Sequence, residues 1–266
     1  MRTLAWLWLA VITAAATSSA AIVTYEPTRD TYMRGGLTDL HGTSPFGRAS
    51  KAFLDFYLSD FDRPAIINAI NAELGHPFTF DDMTDIELSL NLFSNDSQGY
   101  QPTALSRPAV FQGTQDWFEG TNLTGGATKG YALYDPSDPL NNLAWRNRAG
   151  NAVNGFLNLD RVENAVFEEW GGSPFTYREW VLDDFVAFAY LTDALSLGLF
   201  LNASDQPNPG GIEAEYNNTE VYSRERTDPL QRPFLKVTVI PEPTAFALLG
   251  LSTVMALRRR RSSESQ

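Results

Sequence analysis

The chain has 266 residues, 43% of them hydrophobic, with 32 Asp+Glu against 20 Lys+Arg and a formal charge of -12. It is long enough to bury a core in one or two domains and too apolar to be disordered. The absence of cysteine excludes a disulfide scaffold, a thiol nucleophile and a Cys-ligated zinc; with only His41 and His76, a histidine-rich metal centre is excluded too, and the acidic balance excludes binding to a nucleic-acid backbone, which needs a basic face.

Met1 to Ala20 carries one early charge, Arg2, then an apolar stretch from Leu4 to Ala16, then the small residues Thr17, Ser18, Ser19 and Ala20. This order predicts a secretory signal peptide cut after Ala20, because the apolar run is too short for a typical membrane span. Residues 21–240 contain no internal repeat and no long Pro/Ser/Gly-rich linker, and so are expected to form one domain.

Along that domain, Ala52, Leu54, Phe56 and Leu58 alternate with period two and predict a half-buried strand. Asp62 to Gly75 reads as a short helix: Asp62 caps it, Pro64 sits in its first turn, Ile66, Ile67, Ile70 and Leu74 follow helical spacing, and Gly75 ends it. From Asp85 to Phe93 the alternation is clearest, with Ile86, Leu88, Leu90 and Leu92 on one face and Asp85, Glu87, Ser89 and Asn91 on the other. A second helical turn is expected from Asp183 or Asp184, carrying Phe185, Phe188 and Ala189. Leu195, Leu197, Leu199 and Leu201 form a third apolar strand face, and Leu235, Val237 and Val239 a fourth, with a turn-rich stretch from Asn202 to Gly211 between them. The predicted fold is all-β, an antiparallel β-sandwich or jelly roll with one or two short helices.

The tail reads as an address. Pro241, Glu242 and Pro243 precede fourteen mostly apolar residues, Thr244 to Leu257, and then Arg258, Arg259, Arg260 and Arg261. As a short hydrophobic helix the apolar run would span roughly 21 Å against the about 30 Å of a hydrocarbon core, a marginal anchor. The arginines are expected to stay cytoplasmic, leaving the domain outside the membrane. The order over residues 241–266 resembles a PEP-CTERM sorting signal, which implies recognition by an exosortase-type transpeptidase in bacteria that make exopolysaccharide. Without its two ends the domain is more acidic than the chain as a whole, and it would repel polyanions unless metal ions bridge them.

The domain carries a second resemblance. Arg29-Asp30-Thr31-Tyr32-Met33-Arg34-Gly35-Gly36, Gly42-Thr43-Ser44 and the strand Ala52 to Ser59 resemble the opening of DNRLRE-type domains. Asp116-Trp117-Phe118-Glu119-Gly120 resembles that family's Asp-x-Trp-x-Glu-Gly turn, Leu143 to Asn147 its Thr-Trp-Asn segment, and Tyr222-Ser223-Arg224-Glu225 with Arg232-Pro233-Phe234-Leu235 its closing strand pair. The helix at 62–75, the stretch from Ala149 to Tyr177 and the Ala144-Trp145-Arg146 variant depart from the pattern. Such domains are similar to carbohydrate-binding modules of family ninety-six, so the resemblance implies a non-catalytic extracellular β-sandwich, exported to the cell envelope or matrix, that binds polysaccharide or acts as a structural element.

Sugar binding uses aromatic faces beside directed polar groups. The candidates are Trp145 with Arg146 and Asn147, Trp117 with Asp116 and Glu119, and Trp170, Tyr177 and Trp180 with Arg178. The alternative is a polysaccharide lyase or hydrolase using paired carboxylates, for which Asp81-Asp82 with Asp85, Glu168-Glu169 and Asp183-Asp184 are the acidic pairs, although adjacency does not place two carboxylates across a cleft. Asp81, Asp82 and Asp85 are also the candidate metal cluster, with calcium as the cofactor that carboxylate-rich loops would take. No Gly-x-Ser-x-Gly elbow is present, which sets a serine hydrolase aside. Arg224 and Glu225, with Arg34 and Arg232, are expected to form a structural ion-pair network closing the sheet. The sequons at Asn95, Asn122, Asn202 and Asn217 mark polar, loop-like stretches.

Overall fold

The computed structural model describes residues 20–33, 46–50, 56–94, 104–121, 125–166, 168–170, 175–203 and 218–240. One sheet has the order β1 (Ala21–Tyr25), β14 (Phe234–Val239), β5 (Ile86–Phe93) and β11 (Tyr177–Val181). The other runs β10 (Glu168–Trp170), β6 (Ala104–Gln112), β12 (Ser196–Ala203), β4 (Phe56–Asp60) and β2 (Arg29–Met33), with β9 (Asp160–Glu163) also on β6. Two further pairs are β3 (Phe46–Ser50) with β13 (Asn218–Tyr222), and β7 (Tyr131–Leu133) with β8 (Leu143–Ala144). All these pairings are antiparallel, so the chain is all-β with few helices, as its alternating segments predict.

The main core lies between the two large sheets. Leu88, Leu90, Leu92, Leu235, Val237 and Trp180 of the first meet Tyr57, Val110, Leu199 and Leu201 of the second. β14 alternates cleanly, with Leu235, Val237 and Val239 buried. β5 differs from expectation in one respect: its polar face is covered at Ser89 and Asn91, which are buried, while Glu87 is exposed. As a central strand it has Lys236 of β14 and Glu179 of β11 beside that face; Ser89 Oγ donates to Glu179 Oε1 at 2.6 Å, and Lys236 pairs with the same carboxylate. Pro108 lies inside β6 without breaking the sheet, because β9 pairs from Ala109 onward and β10 ends opposite Ser106, leaving no ladder bond for the missing N–H to make there.

Two helices close onto the main core. α1 (Arg63–Leu74) is built as predicted: Asp62 accepts from Ala65 N at 3.0 Å, Ile66 and Ile70 are buried, and Gly75 N donates to Asn71 O at 2.9 Å. α2 (Asp184–Thr192) starts at its expected cap, Asp183, which accepts from Val186 N at 3.0 Å. It carries Phe185, Phe188 and Ala189 as expected; its buried face is Val186, Ala187, Tyr190 and Leu191, while Phe185 points to solvent and the other two are half-buried. Tyr190 decides the rotation, since its hydroxyl reaches Asp60 and Phe61 N on β4's end.

The third predicted face is split. Leu199 and Leu201 enter the main core, but Leu197 and Phe200 enter a second one on the far side of the sheet. The cause is a register shift between Ser196 and Leu199, where Gly198 adopts φ +133° and a β-carbon would stand 2.6 Å from Ser59 O. A bulge moves every following side chain to the opposite face. The second core joins Leu197, Phe200, Leu58, Ala109 and Phe111 to Trp117, Trp145, Phe156 and Leu159 of the segment spanning 113–159, which forms a third layer over the six-stranded sheet.

Ala52, Leu54 and the whole of residues 1–19 and 241–266 lie outside the described residues, and no helix among the described residues is long and apolar enough to cross a membrane. G198A is expected to lower stability by about 2 kcal/mol or more in urea denaturation, because it forces both an unfavourable backbone angle and a clash with a strand carbonyl; an unchanged midpoint would contradict the bulge.

Candidate functional site

Three segments far apart in sequence converge where β2 begins. Arg29 and Asp30 open that strand, the turn 116–120 passes beside it, and Ser223-Arg224-Glu225 follows β13. Asp30 is 1% exposed, and its Oδ2 accepts from Tyr57 Oη at 2.6 Å and from Arg224 N at 2.8 Å. In return Asp30 N donates to Glu119 Oε1 at 2.9 Å, and the Arg224 guanidinium donates to both oxygens of Glu119, with Nε also reaching Glu225 Oε1 at 3.1 Å. Arg224 Nη1 donates to Thr28 O. Each segment supplies what the others lack, and a two-point guanidinium–carboxylate pair fixes orientation as well as attraction.

A second node adjoins the first. Arg29 donates from Nη2 to Asp60 Oδ2 at 2.9 Å and Asp116 Oδ1 at 2.8 Å, and from Nη1 to Trp117 O at 2.6 Å, with its guanidinium carbon 4.3 Å from the Trp117 ring centre. Asp60 also accepts from Tyr190 Oη at 3.1 Å, so the node ties α2 to β2 and to the 116–120 turn. Gly120 makes that turn possible: at φ +64°, a β-carbon there would lie 1.7 Å from Gly125 O.

Burial sets the electrostatics. It pushes the Asp30 carboxyl up to about 7, against the pull of the Tyr57 and Arg224 hydrogen bonds, and the nearby Glu119 charge adds to the rise. Glu119 is raised by burial as well, opposed by Asp30 N and Arg224, and the wholly buried Tyr57 hydroxyl is held well above its usual range by burial and by Asp30. Among the described residues, Asp30, Glu119 and Glu225 are the carboxylates that gather closely enough to share a metal ion.

The stacking roles expected for Trp145 and Trp117 are corrected. Both rings are 1% exposed within the second core; Trp145 Nε1 donates to Thr128 O at 2.9 Å and Trp117 Nε1 to Leu197 O at 2.5 Å, so neither presents a face to a sugar. Trp180 is buried in the main core, donating to Ser106 Oγ at 3.0 Å. Arg146 is exposed and donates to Gly150 O, while Asn147 Oδ1 accepts from Ala149 N and Asn151 N: both hold a local turn. Asp116 and Glu119 belong to the two nodes instead. The Trp170 side chain lies outside the described residues.

The metal expectation for Asp81, Asp82 and Asp85 is corrected too. They occupy a 3-10 turn, Phe80–Asp85, in which Asp82 Oδ2 accepts from Thr79 N and Oγ1, a cap that holds its carboxyl below the usual range. Asp183 caps α2, and the Glu168 and Glu169 side chains lie outside the described residues, as do Arg34 and the sequons at Asn95, Asn122 and Asn217. The predicted Arg224–Glu225 pair is present; Arg232 is elsewhere, its Nε on Arg226 O at 2.9 Å. Asp30, Tyr57 and Asp60 escape sequence reading because the partners that make them important lie 27 to 194 residues away.

No protein-family model matches the chain, and no curated protein matches it either.

An unfolded aspartate releases its proton near 3.8, whereas folded Asp30 keeps it up to about 7. Its contribution to stability is therefore complete below the lower value and is lost as pH rises through the upper one. In chelating buffer, D30N, which keeps an acceptor for Tyr57 and Arg224 N and leaves Glu119, Glu225 and Arg224 in place, is expected to gain stability relative to the parent as pH rises from about 4 to about 7 in urea titrations. A difference that does not change with pH would contradict the assignment.

Proposed function

We propose that the chain is an exported, envelope- or matrix-associated bacterial protein, sorted by an exosortase-type system acting on Pro241 to Arg261, whose β-sandwich domain is a non-catalytic surface module that binds polysaccharide or serves as a structural element. One observation carries the reading: the Arg29-Asp30, Asp116-Trp117-x-Glu119-Gly120 and Ser223-Arg224-Glu225 segments that resemble DNRLRE-type domains meet in one bonded unit. Short motifs that match by accident have no reason to converge. A glycoside hydrolase of the paired-carboxylate kind would need two carboxylates facing an open cleft. Here Asp30 is buried, and Glu119 and Glu225 are held by Arg224.

With the Trp117, Trp145 and Trp180 rings enclosed, exposed phenylalanines among the described residues offer a stacking surface for a sugar. The rings of Phe80 and Phe185 lie 5.0 Å apart beside Phe188, with Asp81 and Asp184 adjacent to them in the chain. The pair gives an apolar face with acceptors at its rim, suited to an uncharged or cationic polysaccharide.

Affinity electrophoresis of the full chain through gels loaded with neutral, acidic and amino-sugar polysaccharides is expected to show retardation that F185A lowers, with unfolding unchanged to within about 0.5 kcal/mol. No retardation in any gel would leave the structural role alone. Deleting residues 241–266 is expected to release the protein to the medium; unchanged fractionation would contradict the sorting reading.

A further inference from the structure

One carboxylate oxygen from each of Asp30, Glu119 and Glu225 lies within 4.8 Å of those of the other two. The cation facing these three is Arg224, and its own bonds run to Glu119, to Glu225 Oε1 and to Thr28 O. Among the described residues one guanidinium faces these three groups, in a domain already strongly acidic.

Asp30 adds a separate observation. Its Oδ2 has two donors, Tyr57 Oη and Arg224 N, but its Oδ1 is buried with no hydrogen-bond partner. A buried carboxylate oxygen without a donor is costly and uncommon, and it marks a place where a further group belongs. Protein donors already occupy Oδ2, which leaves Oδ1 as the oxygen open to a further group.

We propose that Asp30, Glu119 and Glu225 form a calcium-binding site. Calcium takes six to eight oxygens, accepts carboxylates singly or in pairs, and tolerates irregular geometry. Three carboxylates from the start of a strand, a turn and the segment after another strand, with water completing the shell, match that habit. Magnesium demands near-octahedral geometry and keeps most of its waters, and zinc prefers nitrogen and sulfur. Glu225, with its side chain 33% exposed, gives the ion a way in from solvent. Bound there, calcium would supply the charge that Arg224 does not and would lock the three segments together. This site is independent of the sorting and polysaccharide readings and stands or falls separately from them.

The test is calorimetric titration of the chelator-stripped full chain in detergent with CaCl2, alongside its thermal midpoint. The parent is expected to bind one calcium and to show a midpoint that keeps rising with CaCl2, while MgCl2 at the same concentrations gives no rise. D30N is expected to lose the effect and E225Q to weaken binding by about tenfold or more; D81N, on the exposed 3-10 turn, is expected to bind as the parent does. Among the described residues the Glu225 side chain bonds to Arg224 alone, so E225Q decides the matter if D30N fails to fold. No calcium binding by the parent, equal response to magnesium, parent-like binding by E225Q, or loss of binding in D81N would each overturn the site.

Discussion

The bond between Arg224 and Glu119, with the reciprocal bonds of both to Asp30, is the constraint on which the arrangement of the domain depends. β2 is an edge strand, and the turn at 116–120 and the segment after β13 belong to no long ladder. What places them is side-chain to backbone bonding: Asp30 N to Glu119, Arg224 N to Asp30, Arg224 Nη1 to Thr28 O. Such bonds are directional, so they set position where packing alone would permit sliding. Removing one partner of this half-buried charge pair leaves the other carrying an uncompensated charge beside Asp30, which couples the three segments. The Arg29 node extends it, carrying the same fixed geometry to Asp60 and, through Tyr190, to α2.

The six-stranded sheet supplies the second organising fact, since it is covered on both faces. The main core fills one side, and the 113–159 segment fills the other with Trp117, Trp145 and Phe156. That segment has little regular structure and is held by its aromatic rings, whose N–H groups reach the backbone carbonyls of Leu197 and Thr128. The Gly198 bulge is what lets one strand, β12, serve both cores. A straight β12 would direct all its leucines to one side and leave Trp117 without Leu197.

Much of this was legible in the amino-acid order, and the rest was illegible for identifiable reasons. α1 could be read to its ends because a cap, an early proline and a final glycine are local signals. The inner faces of β5 and β14 could be read because alternation is local as well. The split of Leu197 from Leu199 could not, because the alternating leucines continue unbroken across Gly198 and the cause is the close approach of Ser59 O, 139 positions upstream. The tryptophans misled because their sequence neighbours are polar, while the groups that enclose their rings come from other strands. Glu119, Arg224 and Glu225 stood out individually. Asp30 did not, since its importance arises from burial, and burial is a property of the assembled sheets.

The most direct measurement of the central claim is a double-mutant cycle in urea between R224M and E119Q. If the two side chains hold three segments as one unit, the single substitutions each destabilise and the double costs less than their sum, with a coupling energy of about 1–3 kcal/mol. Additivity to within about 0.5 kcal/mol would contradict the account, because it would mean that Arg224 and Glu119 stabilise the fold independently.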